Sequence, residues 1–599
     1  MNEDGNSVTL VCYKGNDTEV TVPVTLDGKS VTEIGYETFR DNEALTSITI
    51  QDNIKSIGQE AFCNCLNLKD IDIPDSVEEI FGDAFDGTIW LSEKQKESPL
   101  VIVNGILVNG RKCTGSVVIP DTVTSISVGA FWENSAVTDV SIPDTVTCLG
   151  DAFDSCSNLK SVRLSNNITY IDDDTFIGCK SLSSITLPDG IQEIRESAFQ
   201  GCRSLTSIVI PDGTTFIGGA AFADCTALAS VSIPDSVTTI ECNAFSGTIW
   251  LENMKAAESL VIVNDILIGV KNSSGVVVVP NGVKSISGAF AGCSGITSVT
   301  IPDSVIEIGA RAFEECTSLT SISLPDGVTE IGNMAFRGCT KLQSITIPAN
   351  VARIGAAAFE DCKILHSVTF GEEANGDSIK LCIDEFAFEG CIGITSIQLP
   401  ERLKQIGHGA FSCTSITSID IPDGVTNIDY SFNDCSKLTE VHLPNSIRSM
   451  RGAFSACGSL TSITLPNGIT SIDDSAFSHT GLTSIVIPDT VTSIGDYAFE
   501  NTSLTSIVIP DAVTSIGKDS FEDCEKLTSV TMGNCVTSVG DWAFCGCSNL
   551  TDINNIPDCL TTIGVAAFSD TAWLIAKRKE NPLVIENGIL IDGTTCTSK

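Results

Sequence analysis

Apolar and polar positions repeat along this chain with a period of 22 or 23 residues. A representative unit is Leu319-Thr-Ser-Ile-Ser-Leu-Pro-Asp-Gly-Val-Thr-Glu-Ile-Gly-Asn-Met-Ala-Phe336-Arg-Gly-Cys339. The alternation in Leu-x-x-Ile-x-Leu predicts a β-strand with one buried face. The proline that follows ends the strand, because it lacks a backbone N–H and its fixed φ favours a turn. Val-Thr-x-Ile-Gly then predicts a second short extended segment, and Ala-Phe-x-x-Cys predicts a single helical turn.

The phenylalanines show the period most clearly. Of the 26 in the chain, 22 form one series in which most steps are 22 or 23 residues. A single unit of this length cannot bury its own apolar face, whereas stacked units can. The pattern therefore predicts an α/β solenoid, with a parallel β-sheet on one face and short strands and single helical turns on the other. We expect Phe176, Phe199 and Phe222 to fill its interior.

The repeat Leu-x-x-Ile-x-Ile-Pro-Asp-x-Val-x-x-Ile-Gly-x-x-Ala-Phe-x-x-Cys resembles the BspA-like leucine-rich repeat family, over essentially the whole chain. The resemblance implies a leucine-rich repeat solenoid with about 22–23 residues per coil. Residues 1–38 resemble the amino-terminal capping unit of that family, which we expect to be a hairpin that closes the first coil. Residues 39–599 are then expected to form one continuous solenoid.

Three long units interrupt the regular repeat, at about residues 88–119, 248–279 and 571–599. Each begins with Thr-x-Trp-Leu and continues to an apolar stretch such as Leu100-Val-Ile-Val-Asn-Gly-Ile-Leu107. The recurring tryptophan indicates a packing role. The third unit stops at Lys599 before the normal repeat resumes, and a solenoid end needs a polar cap. We therefore expect the chain to be a fragment of a longer protein.

The 25 cysteines are placed like structural residues rather than like a disulfide framework. Fifteen lie about three residues after a phenylalanine of the series, and where cysteine is missing there the residue is Asn or Thr. Since Asn and Thr cannot replace a disulfide partner or a zinc-bound thiolate, we expect reduced thiols that contact the backbone of neighbouring coils. The fifteen are Cys65, Cys156, Cys179, Cys202, Cys225, Cys293, Cys316, Cys339, Cys362, Cys391, Cys413, Cys435, Cys457, Cys524 and Cys547.

Charge and hydropathy exclude several classes of protein. The chain carries 76 acidic and 34 basic residues, a formal net charge of -42, which opposes binding to nucleic acid or to anionic lipid. No apolar run is long enough to span a bilayer, so we expect no membrane insertion. The first residues have neither a basic segment nor an apolar run, so we do not expect them to form a signal peptide. A secreted or cell-surface monomer whose leader and anchor lie outside this chain fits these features.

Residues typical of catalysis are sparse. The four histidines lie in different repeats, and no metalloprotease, nucleophile-elbow, phosphate-loop or dinucleotide motif occurs. A row of aspartates after the prolines would attract Ca²⁺, but Asn281, Ala349, Asn445 and Asn467 interrupt it. We therefore predict no enzymatic activity, no cofactor and no metal.

The candidate binding residues are departures from a uniform surface. On the predicted strand, the residue between the two inward apolar positions points outward and is mostly Thr or Ser. Arg163 departs from this rule, as does the pair Asp420 and His442 on adjacent coils. The acidic insertion that contains Glu372 and Glu373 is a further candidate, because insertions in repeats form protruding loops.

The predicted function is a non-enzymatic scaffold that binds extracellular or cell-surface proteins. The family resemblance implies adhesion to host matrix or to other cells. Two alternatives remain open at this point: a structural spacer that presents a missing domain, and a glycan-binding module. The scarcity of aromatic residues on the predicted sheet disfavours glycan stacking.

Overall fold

A computed structural model describes residues 6–271, 274–371, 379–586 and 588–592. The chain divides into two compact units, residues 1–271 and 272–599. Both units consist of stacked coils with two rows of short parallel strands. We call the row that contains the Ser-Ile-x strands the first ladder, and the row that follows the Pro-Asp turn the second ladder. The predicted leucine-rich repeat solenoid is confirmed.

The strands and helices of unit 1 follow the repeat. In chain order they are β1 (Ser7–Leu10), β2 (Glu19–Thr21), β3 (Thr25–Leu26), β4 (Lys29–Ile34), β5 (Ser47–Thr49), β6 (Ser56–Ile57), β7 (Asp70–Asp72), β8 (Glu79–Ile80), α1 (Ile89–Glu97), β9 (Val101–Val103), β10 (Ile106–Asn109), β11 (Gly115–Val118), β12 (Ser125–Ile126), β13 (Val137–Ser141), β14 (Ser161–Arg163), β15 (Tyr170–Ile171), β16 (Glu193–Ile194), β17 (Ser207–Val209), β18 (Phe216–Ile217), β19 (Ser230–Ser232), β20 (Thr239–Ile240), α2 (Ile249–Ala257), β21 (Leu260–Val263) and β22 (Ile266–Val270).

Unit 2 continues the same alternation. Its elements are β23 (Gly275–Val278), β24 (Ser285–Ile286), β25 (Ile296–Thr300), β26 (Glu307–Ile308), β27 (Ser321–Ile322), β28 (Glu330–Ile331), β29 (Ser344–Ile347), β30 (Arg353–Ile354), β31 (Ser367–Phe370), β32 (Leu381–Ile383), β33 (Leu403–Ile406), β34 (Ser418–Asp420), β35 (Glu440–His442), β36 (Ser471–Ile472), β37 (Ser493–Ile494), β38 (Ser506–Val508), β39 (Ser515–Ile516), β40 (Ser529–Thr531), β41 (Ser538–Val539), β42 (Asp552–Asn554), β43 (Thr562–Ile563), α3 (Ala572–Glu580), β44 (Val584–Glu586) and β45 (Ile589–Asp592).

Equivalent residues of successive coils pair directly in both ladders. In the first ladder Ile208 of β17 is in register with Val231 of β19. In the second ladder Ile194 of β16 is in register with Ile217 of β18. All four belong to the inward face of their strands, so each ladder supplies a continuous apolar row to the interior.

The segment that contains the series phenylalanine is a run of tight turns rather than the expected helical turn. The amides of Ser197, Phe199 and Gly201 donate to carbonyl oxygens of the next coil at 2.7–2.8 Å, whereas those of Gln200 and Cys202 bond to the carbonyl oxygen three residues earlier. Ser197 has a left-handed φ of 53°. Every second amide is therefore used for stacking, which the i to i−4 pattern of an α-helix does not permit.

Stacked phenylalanine rings form the centre of each unit. The centroid of the Phe199 ring lies 5.3 Å from that of Phe176 and 5.2 Å from that of Phe222, and the planes differ by 13° and 5°. All three side chains are fully buried. Their rings are nearly parallel because the coils are related mainly by translation.

The long units contain the α-helices of the described structure, each followed by a β-hairpin. Helix α1 begins after Thr88, whose Oγ1 accepts a hydrogen bond from the amide of Leu91 at 3.1 Å and donates to the carbonyl of Phe85 at 2.7 Å. Trp90 packs against Phe85 with ring centroids 4.7 Å apart. The tryptophan therefore extends the aromatic stack, in agreement with its expected packing role.

The amino-terminal region pairs with the first coils. Strand β1 lies parallel to β4, and β3 and β4 form an antiparallel hairpin. Strand β2 lies parallel to β5. Strand β1 thus ends the second ladder of unit 1 and β2 ends the first, while the hairpin belongs to the second ladder.

Candidate binding surfaces

The side chains on the outward face of the first ladder are exposed and mostly small. In strands such as β17, β34 and β38 the central residue is buried and its two neighbours are exposed. The Oγ1 atoms of Thr346 and Thr369, on adjacent coils, lie 2.9 Å apart. This face therefore presents hydroxyl groups in register from coil to coil.

Asp420 and His442 lie side by side on this face. They are register partners in β34 and β35, and Nδ1 of His442 lies 2.5 Å from Oδ1 of Asp420. Nε2 of the same imidazole lies 3.6 Å from Oε1 of Glu440. All three side chains are largely exposed. Two hydrogen-bonding groups of different charge thus replace the usual pair of hydroxyls.

Arg163 lies on the outward face of the first ladder in unit 1, and residues of the preceding coil hold its side chain. Its Nη1 donates to the carbonyl oxygen of Ile142 at 2.9 Å, and Nη2 lies 3.5 Å from Oδ1 of Asp144. Hydrogen bonds from the backbone and side chain of Asn166, together with Arg163, hold the pKa of Asp144 below its usual value. The guanidinium remains 57% exposed, so it combines an anchored position with free donor capacity.

A few apolar side chains also occupy the outward face. Val486 and Val508 lie on adjacent coils of unit 2 and are 83% and 63% exposed, and Val209 of unit 1 is 69% exposed. The valines of unit 2 follow Asp420 and His442 along the first ladder, separated from them by Thr464. The face therefore changes from charged to apolar over a few coils.

The acidic insertion with Glu372 and Glu373 lies outside the described residues. A cavity of about 700 Å³ in unit 2 has a lining that includes Thr369, Gln398 and Lys404. The buried Arg402 also lines it and donates to the carbonyl oxygens of Val351 and Pro348 at 2.6 and 3.2 Å. Arg402 thus connects coils of unit 2 beneath this cavity.

The cysteine column is structural in its geometry. Its thiols donate to the carbonyl oxygen of the phenylalanine one coil earlier, as Cys179 does to Phe153 and Cys225 to Phe199. No disulfide occurs among the described cysteines. Burial raises the pKa of Cys156 and Cys316 to about 12, and raises that of Cys202 well above its ordinary value. These thiols are therefore protonated at neutral pH.

Cys413 does not belong to this column, contrary to the sequence prediction. It lies two residues after Phe411 rather than three, has a left-handed φ of 57°, and is exposed. Thr414 takes the column position, where its Oγ1 donates to the carbonyl of Phe411 at 2.9 Å. The sequence assignment failed because it accepted a position near, rather than at, the third residue after phenylalanine.

Aromatic side chains on the turns form a surface that the sequence analysis missed. The ring centroid of His408 lies 5.3 Å from that of Phe386 and 4.6 Å from that of Tyr430. The signal was present, because Phe386 and Tyr430 each stand two residues before a phenylalanine of the series. Comparing equivalent positions of successive repeats identifies this surface, whereas a search for catalytic motifs does not.

Metal ligation and membrane crossing find no support in the part of the chain that the structure describes. It contains no group of three or more His, Cys, Asp or Glu side chains arranged to hold a metal ion. None of the described helices is both long and apolar enough to cross a membrane.

Comparison with solved structures finds other leucine-rich repeat proteins. A leucine-rich repeat protein from Bacteroides ovatus is 24% identical over 75% of this chain and 92% of its own, with a TM-score of 0.25. A leucine rich cell surface protein from Faecalibacterium prausnitzii is 21% identical over 92% of this chain and 91% of its own, with a TM-score of 0.20. The leucine rich repeat protein of T. pallidum is 24% identical over 38% of this chain and 86% of its own, with a TM-score of 0.20.

The sequence itself matches one family in six copies. No curated protein is significantly similar to the chain. The profile of the BspA type leucine rich repeat region matches residues 32–160, 111–227, 150–268, 271–380, 376–481 and 450–575. Together these matches cover most of the repeats whose geometry is described above. The chain therefore belongs to the BspA-type leucine-rich repeat family.

Proposed function

We propose that this chain is a non-enzymatic, monomeric repeat scaffold, secreted or held at the cell surface, that binds an extracellular protein partner and supports adhesion to host matrix or to other cells. The binding site is the outward face of the first ladder. The observation that carries the proposal is the exposed pair Asp420 and His442, in register at 2.5 Å within a face of small hydroxyl side chains.

The physical properties of this face favour a protein partner. Hydroxyl groups cost less to desolvate than charged groups, and they both donate and accept hydrogen bonds. Coils that stack about 4.8 Å apart present such groups over a long surface suited to an extended partner. Val486 and Val508 supply exposed apolar area further along the same face, beyond Thr464. Repeated hydroxyls therefore provide general complementarity, and Arg163, Asp420 and His442 provide local specificity.

The test is binding of the purified, reduced chain to a panel of extracellular-matrix proteins and to a glycan array, at low and physiological salt. The test variants are Arg163→Thr, Asp420→Thr and His442→Thr. The matched controls are Arg203→Thr, Asp423→Thr and His366→Thr, which remove the same charges or rings from exposed positions outside this face. We expect saturable protein binding that the test variants weaken and the controls retain.

Other outcomes would favour the alternatives. Binding to glycans alone would favour a glycan-binding module. A folded chain that binds neither class would favour a spacer. Protein binding that the test variants leave unchanged would place the interface elsewhere on the molecule and overturn the site, but not the binding role.

A further inference from the structure

Three aromatic side chains form a continuous strip on the turns of unit 2, which we call the aromatic strip: Phe386, His408 and Tyr430. The rings belong to three successive coils and their centroids are 5.3 and 4.6 Å apart. Phe386 and Tyr430 are half-buried, whereas His408 is exposed. The strip is thus an accessible surface and not part of the phenylalanine core.

Glycines support both outer rings of the strip. An added Cβ at Gly409 would lie 2.5 Å from the Phe386 ring. At Gly452 an added Cβ would overlap the ring of Tyr430. Both glycines have left-handed φ angles, 63° and 56°. Each ring therefore contacts the backbone of the next coil at a glycine, where a larger side chain would clash with it.

A second set of residues in unit 2 repeats this arrangement with a cation in the middle. Tyr497, Lys518 and Trp542 occupy the same repeat positions as Phe386, His408 and Tyr430: two, three and two residues before a phenylalanine of the series. Nζ of Lys518 lies 5.7 Å from the centroid of the Tyr497 ring and 5.1 Å from that of Trp542. The backbone agrees as well, since Tyr497 donates to the carbonyl of Lys518 as Phe386 does to that of His408.

Two aromatic residues of unit 1, Tyr170 on β15 and Trp132 on a turn, are also covered by the protein's own cations. Cζ of Arg195 lies 4.0 Å from the centroid of Tyr170, and Cζ of Arg111 lies 5.2 Å from that of Trp132. Such contacts are favourable because the ring face carries partial negative charge. Within the described residues, no Lys or Arg lies over a ring of the aromatic strip.

The surroundings of the strip also favour a cation. In the preceding coils Arg337 pairs with Glu314 and Glu360, at 3.5 and 2.9 Å. The next carboxylate of that row, Glu389, has no such ion pair among the described residues. Its pKa is raised by burial and by repulsion from Glu360 and Asp361, while His408 lowers it. An unneutralised carboxylate therefore lies beside uncovered aromatic rings.

We propose that the aromatic strip and Glu389 bind lysine or arginine side chains of a basic polypeptide segment. His408 fills the position that Lys518 takes between Tyr497 and Trp542, so the partner's cations would lie over the solvent-exposed parts of Phe386 and Tyr430, outside the imidazole, and would pair with Glu389. The net charge of -42 attracts such a segment over longer distances. This site is separate from the outward face of the first ladder and does not depend on the function proposed for that face.

The test is titration of the chain with a labelled peptide of alternating lysine and serine, at physiological ionic strength to suppress diffuse attraction. The same peptide with every lysine acetylated is the control probe. In the variant Phe386→Ser/Tyr430→Ser we expect about tenfold weaker binding at this site. Serine is tolerated there, because Ser475 occupies the equivalent position with a φ of 54°.

Two further variants separate the site from general charge attraction. His408→Lys keeps both rings but supplies the protein's own cation, so it should block the site. It adds only one positive charge to a net charge of -42, so general attraction of the peptide should change little. Lys518→His recreates the aromatic strip at Tyr497 and Trp542, and should add a second site of similar affinity. Both retain the rings and so test the proposal even if the double serine variant folds poorly.

The variants Arg203→Thr and Asp423→Thr, which lie outside both surfaces, should leave peptide binding unchanged. The proposal is overturned if the ring variants bind the peptide as tightly as the unmodified chain. It is also overturned if the acetylated peptide binds as tightly as the lysine peptide. A third contrary outcome is a neutral oligosaccharide that binds the strip equally well in the original chain and in His408→Lys.

Discussion

The thiol of Cys202 donates a hydrogen bond across 3.2 Å to the backbone carbonyl oxygen of Phe176, one coil earlier in the chain. The same bond recurs along both units and connects each coil to the one before it. The same carbonyl also accepts the amide of Cys179 at 3.1 Å, so the thiol uses the second lone pair of an oxygen that is already hydrogen-bonded. The bond recurs at Cys65, Cys156, Cys179, Cys225, Cys316, Cys339, Cys362, Cys391, Cys435, Cys457, Cys524 and Cys547.

Removing one of these thiols should loosen the neighbouring coils. Cys202→Ala deletes the hydrogen bond and leaves a small cavity, so we expect a local loss of about 1–3 kcal/mol. Hydrogen exchange of the amides in the coils around Phe176 and Phe199 measures this loss directly, since long repeat arrays do not always unfold in a single step. Cys413→Ala is the matched control, because Cys413 is exposed, and should change exchange little.

Replacing one core phenylalanine should lower the free energy of unfolding more than removing one thiol does. Phe199 is fully buried between Phe176 and Phe222. We expect Phe199→Ala to destabilise its region by about 3–5 kcal/mol, and Phe199→Leu to destabilise it less, because leucine fills more of the space. Urea unfolding followed by circular dichroism, together with hydrogen exchange, measures both. Equal effects of the two variants would contradict a stack that depends on packed volume.

The reactivity of the cysteines should follow their burial. The exposed thiols Cys12, Cys413, Cys535 and Cys559 should react with iodoacetamide in the folded protein at neutral pH. Buried column thiols should not, because they are both inaccessible and protonated. Mass spectrometry of the alkylated chain, with a urea-unfolded sample as the control, reports each site. Rapid alkylation of Cys156 in the folded chain would contradict the structure.

Stability should decline at alkaline pH because of the same thiols. Burial raises the pKa of Cys156 and Cys316 from 9.0 to about 12 in the folded chain. The folded state therefore binds more protons than the unfolded state between these values, and its stability falls as pH rises from about 9 to about 12. Below pH 9 this contribution is complete. The variant Cys156→Thr/Cys316→Thr should lose less free energy of unfolding over this window, as measured by urea unfolding at a series of pH values. An identical loss in the variant and the original chain would show that these thiols are not its cause.

The amino-terminal cap of helix α1 should be important for the long unit. Thr88→Ala removes both the hydrogen bond to the amide of Leu91 and the one to the carbonyl of Phe85, and we expect a cost of about 1–2 kcal/mol. Thr88→Ser keeps the hydroxyl and should lose less. Hydrogen exchange of the α1 amides compares the two. The interpretation fails if exchange within α1 is the same in the alanine variant as in the original chain.

Much of this arrangement was predictable because each repeat is a local pattern. The spacing of Phe176, Phe199 and Phe222 indicated stacked coils, and the exchange of Cys for Thr or Asn indicated unpaired, hydrogen-bonding thiols. The turn segment was harder to predict. Its amides alternate between the same coil and the next one, and this pattern depends on a neighbour that a single repeat does not show.

The sequence by itself determined the repeat length, the inward and outward faces and the reduced state expected for the cysteines, because apolar periodicity and residue size act within each unit. Only the tertiary structure decided which side chains of different coils touch. It brought His442 to Asp420, placed Thr414 instead of Cys413 in the thiol column, and joined Phe386, His408 and Tyr430 into one strip. The physical reason is that stacking converts a separation of about 22 residues along the chain into direct contact, and a difference of one position decides which side chain makes it.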